Sequence, residues 1–177
     1  MRAKLLLASL IVCVLGVSAT SDVVLAKDKD QNEGRASLIG FQEVPAISTV
    51  AHGKLQLVIH EDSITYELTF TGLTAAASAA HIHLGQRSVS GGVAAFLCGG
   101  GTKPACPAGT SDQATVTGTI VASDVIGPAS QGMAPGQFAE LVHAIRSGVT
   151  YANVHNAVFG AGEIRGQIRT DDKDHRD

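Results

Sequence analysis

The sequence predicts an all-β domain: a Greek-key, immunoglobulin-like β-sandwich of about eight strands with one short amphipathic helix. Three observations predict it. Apolar residues recur at every second position through much of the chain, as they do on strands with one buried and one wet face. The segments with this period are short, and turns containing Gly, Pro, Asp and Ser separate them. One segment alone follows the helical period instead.

Arg2 and Lys4 precede an uninterrupted run of 13 apolar and small residues from Leu5 to Val17. That length suits the ~7–15 residues of a signal-peptide core and falls short of the roughly 20 that a membrane-spanning helix needs. Small residues at Val17-Ser18-Ala19 and Val24-Leu25-Ala26 offer cleavage after Ala19 or after Ala26. Residues 1–26 therefore read as a signal peptide, with no transmembrane segment, and the protein as exported to a periplasmic or extracellular space. Residues 27–36 read as a polar linker, 37–169 as one domain and 170–177 as a charged tail; the two ends are too polar to bury apolar surface.

Within the domain, Leu55, Leu57 and Ile59 alternate with Lys54, Gln56 and Val58, and after Glu61-Asp62-Ser63 the series Ile64, Tyr66, Leu68, Phe70 alternates with Thr65, Glu67 and Thr69. This is a β-hairpin. Ala114, Val116, Gly118 and Ile120 repeat the pattern against threonines. Shorter candidate strands are Ser37–Phe41, Ala80–Leu84, Val93–Leu97, Thr150–His155 and Glu163–Arg169. Phe138, Leu141, Val142 and Ile145 fall at i, i+3, i+4, i+7, with Pro135 before them and Gly148 after, which marks the helix. A turn at Ser123–Gly127 has Ser123 in position to cap it.

Charge and cysteines narrow the function classes. Residues 1–26 contain Arg2, Lys4 and Asp22, so their removal takes the formal charge from −3 to −4. An acidic chain without a basic cluster is no nucleic-acid binder, because Lys and Arg on phosphate supply most of that affinity. Cys98 and Cys106 remain as an even pair around a Gly-rich loop, which in an oxidising compartment reads as a disulfide. The run Gly99–Gly101 is not a phosphate loop, since no helix follows it with a suitably placed Lys. The chain shows no Ser–His–Asp order, nucleophile elbow or reactive-cysteine setting, so no catalytic residue is assigned. Glu163 and Arg165 alternate as a cross-strand charge pair would on a wet face.

Two segments carry the chemistry: Ala80-His81-Ile82-His83-Leu84-Gly85, and Tyr151-Ala152-Asn153-Val154-His155-Asn156 with the following Gly162-Glu163-Ile164-Arg165-Gly166-Gln167. On a strand His81 and His83 share a face, with Ile82 opposite. Two such imidazoles with a third, His155, could hold one copper or zinc ion and leave a coordination position open. With ordinary histidines the ion would be lost as pH fell below about 6.5. The other reading is structural: the same rings hydrogen-bond neighbouring loops.

From Ser37 to Arg169 the chain resembles the CHRD domain, a module also present in chordin and in bacterial exported proteins. The landmarks are Gly40-Phe41-Gln42-Glu43-Val44-Pro45, the Ala80–Gly85 segment, Gly91-Gly92-Val93, Tyr151-Ala152-Asn153-Val154-His155 and the closing Gly162–Gln167 segment. The resemblance implies an extracytoplasmic β-sandwich without an established activity. A second resemblance, in residue order, is to copper/zinc superoxide dismutase. It implies His81, His83 and His155 as copper ligands and Arg165 as an anion-guiding residue. The chain departs from that family in having no histidine for a copper–zinc bridge and no zinc loop between residues 84 and 114. The sequence thus reads first as a non-catalytic binding or envelope-associated module of unknown ligand and partner. Its alternative is a mononuclear copper or zinc protein with weak redox activity.

Overall fold

The computed structural model describes residues 32–110 and 113–170. The expected signal peptide, residues 27–31 of the linker and the tail beyond Thr170 lie outside the described residues. Nine strands follow in chain order: β1 Glu33–Ile39, β2 His52–Ile59, β3 Ser63–Thr71, β4 Ala77–Leu84, β5 Gly92–Cys98, β6 Ala114–Val121, β7 Thr150–Asn156, β8 Ile164–Gln167 and β9 Arg169–Thr170. The single described α-helix, α1, spans Phe138–Arg146.

The hairpin expected from period two is β2–β3, with Leu55 opposite Leu68 and Leu57 opposite Tyr66. Its inward residues Leu55, Ile64 and Leu68 are fully buried. Burying such side chains stabilises the fold by about 1.5–3 kcal/mol each. β6 adds to this hairpin, with Gly118 opposite Tyr66. The first strand begins at Glu33, four residues before the sequence-based start. Its register against β2 runs from Glu33–Val58 to Ile39–His52, with every second residue buried. The charged residues of its first half occupy the outer face, which is why composition alone read them as linker.

All pairings are antiparallel and form one continuous ladder, β5-β4-β7-β8-β1-β2-β3-β6, with β9 also on β1. The expected sandwich is therefore a nearly closed barrel. β1 pairs with β2 on one side and with β8 and β9 on the other, so no break divides two sheets. Period-two alternation is the same for a sheet closed on itself and for two stacked sheets, and the sequence pattern could not separate them. The ladder's ends approach each other where the Tyr66 hydroxyl on β3 donates to Leu97 O on β5 at 2.7 Å. An isolated bridge between Ala95 and Val125 adds to this closure.

The helix forms where its period predicted. Leu141, Val142, Ala144 and Ile145 are buried, and His143 and Arg146 occupy the last turn, where a cation suits the helix dipole. Gly148, at φ +70°, supplies the left-handed residue just past its end. The turn expected at Ser123–Gly127 is a 3-10 turn at Ala122–Asp124, capped by Asp124 rather than Ser123: its Oδ2 accepts from Val121 N at 3.0 Å. Asp124 also pairs with Lys103 Nζ at 2.7 Å. The pairing ties that turn to the loop closed by the Cys98–Cys106 disulfide. Among the described residues no helix is long and apolar enough to cross a membrane.

Candidate functional site

On β2 and β3 the outer face is wet, but on β7 all seven residues are buried, and on β4 the run Ala80–His83 is too. Loops cover the outer face of β4, β7 and β8 and make a second, polar interior on the outside of the barrel. His81, His83, Tyr151, Asn153, His155 and Arg165 all lie in it. The alternation that the sequence showed is intact; what it did not show is that both faces are covered here.

β4 presents His81 and His83 on this face, with Ile82 wholly buried in the barrel core. Against β5, β4 shifts register between Ala80 and His81 and again between Ile82 and His83. Such irregularities re-aim side chains at functional sites. β7 brings His155 alongside, because Ala79 pairs with His155 and His81 with Asn153. One ring nitrogen from each of His81, His83 and His155 lies within 4.8 Å of the others. The three residues retain only 9%, 7% and 9% exposure.

Hydrogen bonds assign the tautomers. Nδ1 of His83 faces Gly91 O at 3.0 Å, and Nδ1 of His155 faces Gly160 O at 3.1 Å. Carbonyl oxygens only accept, so both Nδ1 atoms carry the proton and both Nε2 atoms keep a lone pair. The Nε2 of His155 lies 3.0 Å from Nδ1 of His81, whereas Nε2 of His83 and Nε2 of His81 are buried without a partner. Burial pushes all three histidines towards the neutral form. His81 falls to about 3, through desolvation and then the neighbouring His155 and His83. His83 falls to about 4, with desolvation the largest cause, the Gly91 bond opposing it, and His155 and Arg165 adding to it. His155 is lowered by desolvation against the Gly160 bond. The titration near 6.5 expected for exposed histidines is thus moved well into the acid range.

The donor set fits a metal ion: three neutral imidazoles, two bare nitrogens without a protein partner, and outer hydrogen bonds that fix ring orientation. Tetrahedral bonds of about 2.0–2.1 Å would separate two ligand nitrogens by about 3.3–3.4 Å. The 3.0 Å gap between His81 and His155 would open by only a few tenths of an ångström to admit an ion.

Several residues that sequence reasoning left without a role support this face. Tyr151 stacks on His83, centroids 4.7 Å apart and planes within 5°. The Arg165 guanidinium lies 3.4 Å over the same tyrosine ring. Arg165 is 2% exposed, and its Nη2 donates to Gln86 O and Val89 O, both at 2.9 Å. Those carbonyls belong to the loop that supplies Gly91 O to His83. Phe96 meets the edge of His81 at 4.5 Å. Glu43 accepts from Asn153 Nδ2 at 2.5 Å. Its burial raises its pKa to about 7, against the opposing effects of Asn153 and Arg165. A Cβ on Gly162, at φ +125°, would come within 2.6 Å of Glu43 Oε1. A glycine is required there.

Glu163 and Arg165 do not form the exposed charge pair expected from their alternation. Glu163 is fully buried and receives hydrogen bonds from the Thr49 hydroxyl, the Thr74 amide and hydroxyl, and Asn156. Burial alone would raise its pKa, but these donors outweigh it and hold the carboxyl below the usual range. It ties three loops together beneath the site. Glu43, with partners of its own, belongs to a separate network.

The family profile described as CHRD domain matches residues 34–168. No curated protein and no solved structure matches the chain.

Proposed function

The chain belongs to the CHRD domain family, and from that premise we propose that it is an exported, non-catalytic binding module whose ligand is a transition-metal ion held by His81, His83 and His155. The observation that carries this reading is the convergence of three buried, neutral imidazoles. Two of them leave a buried Nε2 without a partner. A purely structural histidine normally pairs both ring nitrogens when buried, since an unsatisfied buried polar atom costs about 1–3 kcal/mol. Export is supported by the signal-peptide pattern of residues 1–26 and fits the disulfide.

His155 and His83 offer Nε2, because their Nδ1 protons are committed to Gly160 and Gly91. His81 offers Nδ1, the atom that faces His155; in the metal-free protein this nitrogen donates its proton to the bare Nε2 of His155, and on binding that proton moves to His81 Nε2. Imidazole nitrogen suits copper and zinc, and divalent copper heads the affinity order of the common first-row metals. Copper is therefore the preferred occupant, with a coordination position left for a small ligand. Arg165 serves as the positioning residue of this site. It pins the 85–91 loop and backs Tyr151 against His83; it does not itself ligate.

Metal analysis of the protein purified from its native compartment, without added chelator, tests the proposal. About one copper or zinc per chain is expected. Metal-free protein from cells supplied with both metals would refute it.

A further inference from the structure

Antiparallel pairing fixes which connections share an end of the barrel. β1 runs against β2, β2 runs against β3, and both β1 and β7 run against β8. The β1–β2, β3–β4 and β7–β8 connections, residues 40–51, 72–76 and 157–163, therefore crown one end. Their only charged side chains are Glu43 and Glu163, and both are buried. The same connections hold Phe41, Val50 and Val158, which at 71%, 84% and 59% are the most exposed large apolar residues described. Pro45, Ala46, Ala157 and Ala161 add further exposed, uncharged surface. The opposite end is acidic: Glu61 and Asp62 of the β2–β3 turn line a cleft there with Glu140 of α1.

Hydrogen bonds beneath the apolar tips hold them in place. Glu163 accepts from Thr49 Oγ1 and Thr74 Oγ1, both at 2.7 Å, and so ties two of the loops to the base of the third. Gly40 O accepts from Glu43 N and Ile47 N at 3.0 and 2.9 Å, which fixes the turn that carries Phe41. Asn156 Oδ1 accepts from Val158 N and Phe159 N at 3.0 and 2.8 Å. These amides keep their partners when the tips leave water, so no bare donor opposes that step.

We propose that this end of the barrel docks on a lipid bilayer, with Phe41, Val50 and Val158 entering the boundary between headgroups and acyl chains. Exposed apolar surface of this kind marks a protein or a membrane contact, and charge decides between them. Protein interfaces set an apolar core in a polar rim with about ten direct hydrogen bonds. A bilayer instead rejects charged groups at its hydrocarbon boundary. An end whose every charge is buried matches the bilayer, and the acidic far end then faces water. The docking is independent of the histidine centre and of any metal there.

The test is co-sedimentation of the exported protein, purified from its native compartment, with phosphatidylcholine vesicles. A myristoyl chain binds bilayers with a constant of about 10⁴ M⁻¹, and three short side chains bury less, so half of the protein should sediment at about 1 mM lipid. No cation drives the contact, so binding should survive about 0.5 M salt and should not tighten when phosphatidylglycerol is added. Replacing Phe41, Val50 and Val158 together by Ser should weaken binding at least tenfold, whereas Val121→Ser, at the far end of β6, should leave it unchanged. The chain has no tryptophan, so Phe41→Trp supplies the sole indole, and its emission should shift to shorter wavelength on the vesicles. Protein that stays in the supernatant at about 10 mM lipid overturns the proposal in favour of a protein-docking face. Binding that requires phosphatidylglycerol, binding that survives the triple substitution, or an unshifted indole overturns it equally.

Discussion

Lowering the pH of the metal-free protein from 7 to 5 should destabilise it, and replacing Glu43 by Gln should enlarge that loss. His81 and His83 titrate at about 3 and about 4 in the folded protein, against an ordinary value of 6.5. Below pH 6.5 the unfolded chain therefore binds more protons than the folded one, and stability falls as pH falls. Between pH 7 and 5 each of the two contributes a loss of about 2 kcal/mol, from 1.36 kcal/mol per pH unit over the part of the window below 6.5. His155 is shifted in the same direction and adds to the loss. Glu43 opposes them. Its folded pKa is raised from 4.5 to about 7, so across this window the folded protein takes up the proton first and gains about 2 kcal/mol on acidification. Glu163 and Asp124 have lowered values, and their losses fall below this window. The wild type should thus lose about 2 kcal/mol, and Glu43→Gln about 4. Urea melts at pH 7, 6 and 5, read by far-ultraviolet circular dichroism, measure both slopes. A Glu43→Gln variant whose stability is flat or rises between pH 7 and 5 would refute the assignment of the histidines as buried and neutral.

Other outcomes test the fold and the site's support. Leu68→Ala, at a fully buried position, should cost about 2–5 kcal/mol, whereas Thr69→Ala on the opposite face should stay within about 0.5 kcal/mol. The reverse order in denaturant melts would place the β3 register one residue off. Intact-mass analysis of exported protein should find a chain beginning at Thr20 or Lys27 with Cys98 and Cys106 oxidised; retained Met1 or two free thiols would contradict export and the disulfide. Arg165→Ala should keep copper stoichiometry at one while lowering stability by about 3 kcal/mol, through lost packing on Tyr151 and two buried carbonyls left without donors. Loss of the copper site with unchanged stability would make the arginine a ligand-side residue instead.

Much of the barrel was legible because its strands alternate. The β2–β3 hairpin, β6 and helix α1 were all readable from periods of two and 3.6, since each buries one face against the core and exposes the other. Closure of the ladder was not, because a barrel and a sandwich impose the same alternation on each strand. The histidine cluster was readable as His81 and His83 on one face plus a late His155, but their convergence depends on β4 and β7 being neighbours. Adjacent pairing of strands so distant in sequence leaves no local signal. The misreading of Glu163 and Arg165 has the same origin. Parity placed Arg165 on the outer face of β8 and Glu163 just before that strand, and the covering loops turn them from an exposed pair into two buried, separately bonded groups. Asn153 and Glu43 were hidden for that reason too, since their contact spans 110 positions.

The most direct measurement of the central claim is calorimetric titration of copper into the desalted, metal-free protein at pH 7, with His83→Ala and His60→Ala beside the wild type. His60 lies in the β2–β3 turn, where its Nε2 meets Thr65 Oγ1, outside the histidine cluster. The wild type should bind one copper ion per chain with sub-micromolar affinity. Because His81 and His83 stay neutral in mild acid and His155 is shifted the same way, binding should persist at pH 5.5. His60→Ala should behave as the wild type, and His83→Ala should lose the site. A wild-type protein with no sub-micromolar site for copper or zinc, or binding that survives His83→Ala, would contradict the account and leave the three histidines as structural supports of the loops they touch.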